Sequence, residues 1–186
     1  MEHIKVINKE EREVYIYGAE LMLSSIVGIF ALIIVSVCIG KCFQWLPFLM
    51  GFVPLRLLGG GYHAKNHRCC IMTFTVIYVV CTILTETIQI AKVIIAIFSI
   101  PVFFTICFFS PVEPANKKLS IAVRATNRRK SILLALFNTI IASLYITNII
   151  GDHIWITTYL TGFISAGILI LIVVLTRNED QNENLL

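Results

Sequence analysis

One stretch of the chain gathers the side-chain types that nucleophilic catalysis needs. It reads Arg56-Leu57-Leu58-Gly59-Gly60-Gly61-Tyr62-His63-Ala64-Lys65-Asn66-His67-Arg68-Cys69-Cys70. Cysteine attacks as its thiolate, which neighbouring cations or an imidazole partner favour over the thiol. His63 can be that partner, and Lys65 and Arg68 can favour the anion. On residue chemistry alone, two histidines and two cysteines remain in play. Spacing narrows the geometry: residues seven apart on a straight helix share a face but stand about 10.5 Å apart along its axis. A bonded His63–Cys70 pair therefore needs His63 off the helix, on a segment folded back toward Cys70. Three consecutive glycines permit that turn.

Blander roles are open to the same residue types. Cysteine is a common small hydrophobe in cores, and Cys38, Cys42, Cys81 and Cys107 lie in or beside apolar runs, where packing is the expected role. His63 and His67 are four apart, a spacing that can share a metal. However, adjacent cysteines point in different directions from a helix, and no second cluster supplies further ligands. We therefore expect neither a metal nor another cofactor. A disulfide framework is not expected for thiols in reducing or intramembrane surroundings.

The elements that position this stretch follow from composition. Of 186 residues, 58% are hydrophobic and only 14% charged. Soluble domains carry about 25% charged residues, so lipid is the solvent this chain suits. A spanning helix needs roughly 20 apolar residues. Residues 19–39, 71–91, 93–112, 131–150 and 154–176 meet that standard. Residues 42–58 form a sixth, shorter segment that carries Pro47, Pro54 and Arg56, expected to be a kinked span, with a re-entrant segment as the alternative. The first run is too long for a cleaved signal peptide and lacks a small-x-small site.

Charge supplies a direction. Lys and Arg in short loops collect on the cytoplasmic side. With six spans, one face holds Lys5, Lys9, Arg12, Arg56, Lys65, Arg68, Lys117, Lys118, Arg124, Arg128, Arg129, Lys130 and Arg177, and the other holds Lys41 and Lys92. Removing the crossing at 42–58 would split that basic set between faces. The expected fold is therefore all-α, a polytopic membrane protein of about six transmembrane helices with both termini cytoplasmic. Its parts are an N-terminal interfacial tail (1–18), a membrane domain (19–176) and a cytoplasmic tail (177–186), the last polar and frayed. Within the membrane domain, the catalytic loop is 56–70 and the basic loop 113–130. The net charge of +4 is explained by topology, and no aromatic–basic pattern suits nucleic acid.

At this point two motifs resemble those of the accessory gene regulator protein B (AgrB) peptidases of Gram-positive bacteria. The first is Arg56, Gly59-Gly60-Gly61-Tyr62-His63-Ala64-Lys65, Arg68 and Cys70. The second is Ser110-Pro111-Val112-Glu113-Pro114-Ala115-Asn116-Lys117-Lys118. This is similar to the family's Pro-Val-Glu-x-x-Asn-Lys signature, with Pro114-Ala115 where many members have His-Pro. The order of hydrophobic segments agrees along almost the whole chain.

The resemblance implies a cysteine endopeptidase of the bacterial cell membrane, acting on its cytoplasmic side on a small AgrD-like precursor peptide. The product becomes a cyclic autoinducer for quorum sensing. The family's catalytic Cys follows its His by seven residues, which selects His63 as base and Cys70 as nucleophile. Arg56, Lys65, Lys117, Lys118, Arg124, Arg128, Arg129 and Lys130 are the candidate substrate-binding residues, since family precursors end in acidic regions. A homodimer is implied as well. For a third catalytic group, Glu86 sits sixteen residues beyond Cys70, and Glu113 is the better placed. The competing function is a small six-span transporter or permease in which the thiols are incidental; a peptide-binding scaffold without chemistry is the third possibility.

Overall fold

The computed structural model describes residues 26–60, 67–86, 88–112, 121–151 and 153–183. Among these, six helices follow one another and no strand forms: α1 (Ile26–Cys38), α2 (Trp45–Gly59), α3 (His67–Glu86), α4 (Ile88–Phe109), α5 (Ile121–Ile146) and α6 (Ile154–Glu183). Three of them contain stretches long and apolar enough to cross a membrane: Ala91–Phe109, Ile121–Ile146 and Ile154–Thr176. Ile26–Cys38, Trp45–Gly59 and Ile71–Glu86 are shorter apolar helices. At about 1.5 Å per residue, the 15 residues of α2 rise roughly 22 Å, short of a hydrocarbon core of about 30 Å.

Several boundaries differ from expectation, each for a physical reason. α2 runs through Pro54 as one helix, and Pro47 sits in its first turn, where a missing N–H costs nothing. The break between α3 and α4 falls between Glu86 and Ile88, so Lys92 is helical rather than a loop residue. Its ammonium bonds Asn148 and lies 5.3 Å from the centre of the Tyr145 ring, which lets a cation sit near a helix end. The basic run from Arg124 to Lys130 is not loop but the opening turns of α5. Ala122, Ala125, the arginines and Lys130 are strong helix formers. α6 likewise continues to Glu183, into the segment expected to fray.

Close contacts give the helix directions. Gly162 abuts Phe48, Gly51 abuts Tyr159 and Phe163, and Gly59 abuts Ile170, so α2 and α6 run side by side in the same sense. Cys81 near the end of α3 meets Thr161 near the start of α6, and Tyr145 late in α5 meets Thr157 early in α6; both pairs are antiparallel. α1 follows α3, with Gly28 at Phe74 and Ser36 at Tyr78. Odd-numbered helices thus point one way. α2 and α6 point the other.

The core is Phe48, Phe52 and Leu55 of α2 with Tyr78, Ile95, Ile106, Tyr145, Leu160, Phe163 and Ile170. Outward, Phe43, Leu57, Met72 and Phe108 are 71%, 71%, 70% and 72% exposed. An apolar exterior of that kind suits hydrocarbon, not water.

Glycine lets α2 and α6 touch by backbone. A Cβ on Gly51 would stand 2.1 Å from the Tyr159 carbonyl oxygen and 3.0 Å from the Phe163 nitrogen. Neither atom can swing aside. Gly51→Ala is expected to cost about 3 kcal/mol by overpacking, read from unfolding in mixed detergent. Gly28→Ala, whose Cβ meets only a Phe74 ring carbon at 3.8 Å, is the control and should cost little.

Candidate active site at the basic end of the bundle

Two helix ends, those of α2 and α4, meet where the chemistry-bearing segment begins. α2 terminates at Gly59, whose carbonyl accepts a hydrogen bond from the Val112 N–H at 2.8 Å. Gly60 then pairs in parallel with Val112 as an isolated bridge. Its φ of 75° and ψ of −164° belong to glycine alone. Val112 follows the end of α4 through Ser110 and a cis Ser110–Pro111 bond. Ser110 Oγ lies 2.7 Å from Ser131 Oγ of α5, and both residues are buried. The two sequence motifs, fifty residues apart, are therefore joined backbone to backbone.

Arg56 stands one turn before this junction, half-buried, with its guanidinium carbon 5.7 Å from the Phe52 ring centre. α5 contributes its opening turns to the same end. Arg124, Arg128, Arg129 and Lys130 are exposed there, and Ser131 is the first buried residue of that helix. Ten residues of helix ahead of Ser131 rise about 15 Å. Since α3 runs opposite to α2, its first turn belongs to this end too, and Cys70 is in that turn by backbone position. His63, Lys65, Lys117, Lys118 and Glu113 lie outside the described residues, as does the side chain of Cys70.

The opposite end is different. Lys41 pairs with Glu86 at 3.3 Å, and Lys92 is engaged by Asn148 and Tyr145. Glu86 is thus at the far end of α3 from Cys70 and has a cation of its own, which removes it as a third catalytic group. Cys81 is buried, with Sγ 3.9 Å from the Thr161 carbonyl oxygen, and Cys107 is half-buried. Cys38 and Cys42 are exposed, so the packing role expected of all four cysteines does not extend to these two. No residue reasoning anticipated the Ser110–Ser131 pair. The available signal was a small polar residue, Ser131, placed between a basic run and an apolar one.

An all-helical membrane protein whose two sequence motifs are strapped together at a basic end is the class these observations define. The family model described as accessory gene regulator B matches residues 1–176, and the chain belongs to that family. The match covers both motifs and all six helices as far as Thr176. Comparison with curated proteins and with solved structures gives no match. Family membership makes the chain a membrane protein of quorum sensing.

Proposed function

We propose that the chain is a membrane cysteine endopeptidase that cleaves an AgrD-like precursor through a Cys70 thioester and promotes its cyclisation. The observation that carries this reading is the Gly59–Gly60 pairing with Val112. It joins the His63/Cys70 segment to the second motif at the end where the described cations gather. The position of Cys70 in the first turn of α3 adds support, because helix N-termini and nearby cations favour thiolates.

In the reaction, His63 takes the thiol proton as Cys70 attacks the scissile carbonyl. The C–N bond breaks, the proton passes to the leaving amine, and the precursor's C-terminal tail departs. A cysteine or serine of the retained fragment then attacks the thioester, closing a thiolactone or lactone and returning the Cys70 thiol. Thioester exchange keeps the acyl activation that hydrolysis would discard, so a site that excludes water is an advantage. Glu113 is the residue of choice for a third group, and backbone N–H groups of the glycine turn are the proposed oxyanion donors.

The same reading has six crossings, both termini and the active site cytoplasmic, and a homodimer. Helix direction and the uneven division of cations support the topology. α2, short and packed along one face against α6, would cross with local thinning of the bilayer.

Trapping tests the chemistry: mass spectrometry of protein quenched with precursor should find an acyl adduct on Cys70. A transporter would carry none. The basic turns of α5, with Lys117 and Lys118, are proposed to grip the acidic tail by charge complementarity. Arg128→Glu with Arg129→Glu is then expected to raise KM roughly tenfold, less so at high salt, with a smaller change in kcat. Initial rates in proteoliposomes at two ionic strengths check this.

A further inference from the structure

Ser131 is fully enclosed and directly follows the exposed basic turns of α5. Its hydroxyl lies 2.9 Å from the Asn127 carbonyl oxygen and 3.1 Å from that of Arg128, and donates to its own helix there. What remains is acceptor capacity, which Ser110 Oγ fills as donor from 2.7 Å. Ser110 is 4% exposed, and its N–H donates to the Ile106 carbonyl at 3.1 Å, continuing α4. Two residues later, the Val112 N–H reaches the Gly59 carbonyl. A short line of bonds therefore runs from the basic turns of α5 to the backbone that leads into the His63 segment.

Packing alone does not call for hydroxyls at this spot. Two alanines would leave no unsatisfied polar group, and exchanging both partners of such a pair is close to neutral for stability. The pair does, however, tie the end of α4 to α5 at one point, since the two hydroxyls bond each other only while Ser110 stays against Ser131.

We propose that Ser110 and Ser131 are positioning residues for the Cys70 chemistry, holding Val112 against Gly59 and Gly60 so that the backbone enters the His63 segment in register with the first turn of α3. The proposal rests on the peptidase reading. It adds that the substrate-gripping helix and the reactive segment share one mechanical anchor.

The test uses wild type, Ser110→Ala, Ser131→Ala, the double alanine variant and Ser110→Thr, all full-length in proteoliposomes. Alkylation of Cys70 by iodoacetamide is followed against pH by site-resolved mass spectrometry, beside kcat and KM for precursor cleavage. Ser110→Ala and the double variant are expected to alkylate Cys70 roughly tenfold more slowly at neutral pH. They should also lose kcat while KM stays within about twofold. Ser110→Thr, which keeps the hydroxyl, should restore both. The double variant leaves no orphaned hydroxyl and so answers the question even where Ser131→Ala unfolds.

A wild-type pH profile and kcat in the double variant would overturn the proposal and leave the peptidase intact. A Cys70 that titrates as an ordinary thiol in wild type, with cleavage surviving Cys70→Ala, would instead bring down the peptidase reading itself.

Discussion

Cys70→Ala is expected to lower precursor cleavage by at least about a thousandfold, whereas Cys69→Ala should cleave within a few-fold of wild type. Loss of a nucleophile removes the covalent route altogether, and what survives is the smaller contribution of binding and orientation. The two thiols are adjacent, carry the same flanking cations and both fall in the first turn of α3. Composition and local field are shared, so only direction separates them. Successive residues on a helix point about 100° apart, and one thiol alone can meet an imidazole arriving from the preceding segment. His63→Ala should match Cys70→Ala, and His67→Ala should not. Gel analysis of co-expressed precursor with each of the four variants reads this directly. Cleavage lost in Cys69→Ala but kept in Cys70→Ala would reverse the assignment. Cleavage retained in all four would put the chemistry on other residues, and no cleavage by wild type itself would point to a transporter.

Hydropathy is a signal about solvent, and it was legible wherever solvent decides. Among the described residues, the apolar runs became helices. It misleads where a polar residue is helical for other reasons. Lys92 looks like a break in an apolar run, yet it is helical and its charge meets Tyr145 and Asn148. The charge of Arg124 to Lys130 suggests a loop, although arginine, lysine and alanine favour helix once a following apolar turn anchors them. The candidate site divides in the same way. Candidates for nucleophile, base and cation could be read from side-chain chemistry, and the choice among them rests on family spacing. The strap of Val112 on Gly59 could not, since a backbone bond between residues fifty apart leaves no mark in either local sequence. Nor could the pairing of Ser110 with Ser131, because the place of Ser131 between a basic and an apolar run marks that residue but not its partner.

Gly60→Ala should abolish most activity while leaving the bundle folded, and Gly40→Ala should do neither. The two glycines make a controlled comparison, because both hold a left-handed φ, 75° at Gly60 and 71° at Gly40. A side chain at a left-handed φ costs about 1–2 kcal/mol through its own backbone, and the extended ψ of −164° makes Gly60 the costlier of the two. The surroundings differ further. A Cβ on Gly40 would meet nothing within 4 Å, whereas one on Gly60 would lie 2.0 Å from the Val112 carbonyl oxygen and 3.0 Å from its nitrogen. Backbone atoms on both sides leave only one relief, separation of Gly60 from Val112. That junction is at the edge of the bundle, so the core around Phe48, Phe52 and Phe163 need not move, and helicity and melting should change little. The reactive segment, however, starts from Gly60, and displacement of its root by an ångström can cost about a hundredfold in rate. Cleavage by Gly60→Ala at least a hundredfold below wild type, with Gly40→Ala near wild type, is the expected pattern in proteoliposome assays. Equal rates for the two variants would mean that pairing with Val112 is dispensable, and that the chemistry is positioned from α3 alone.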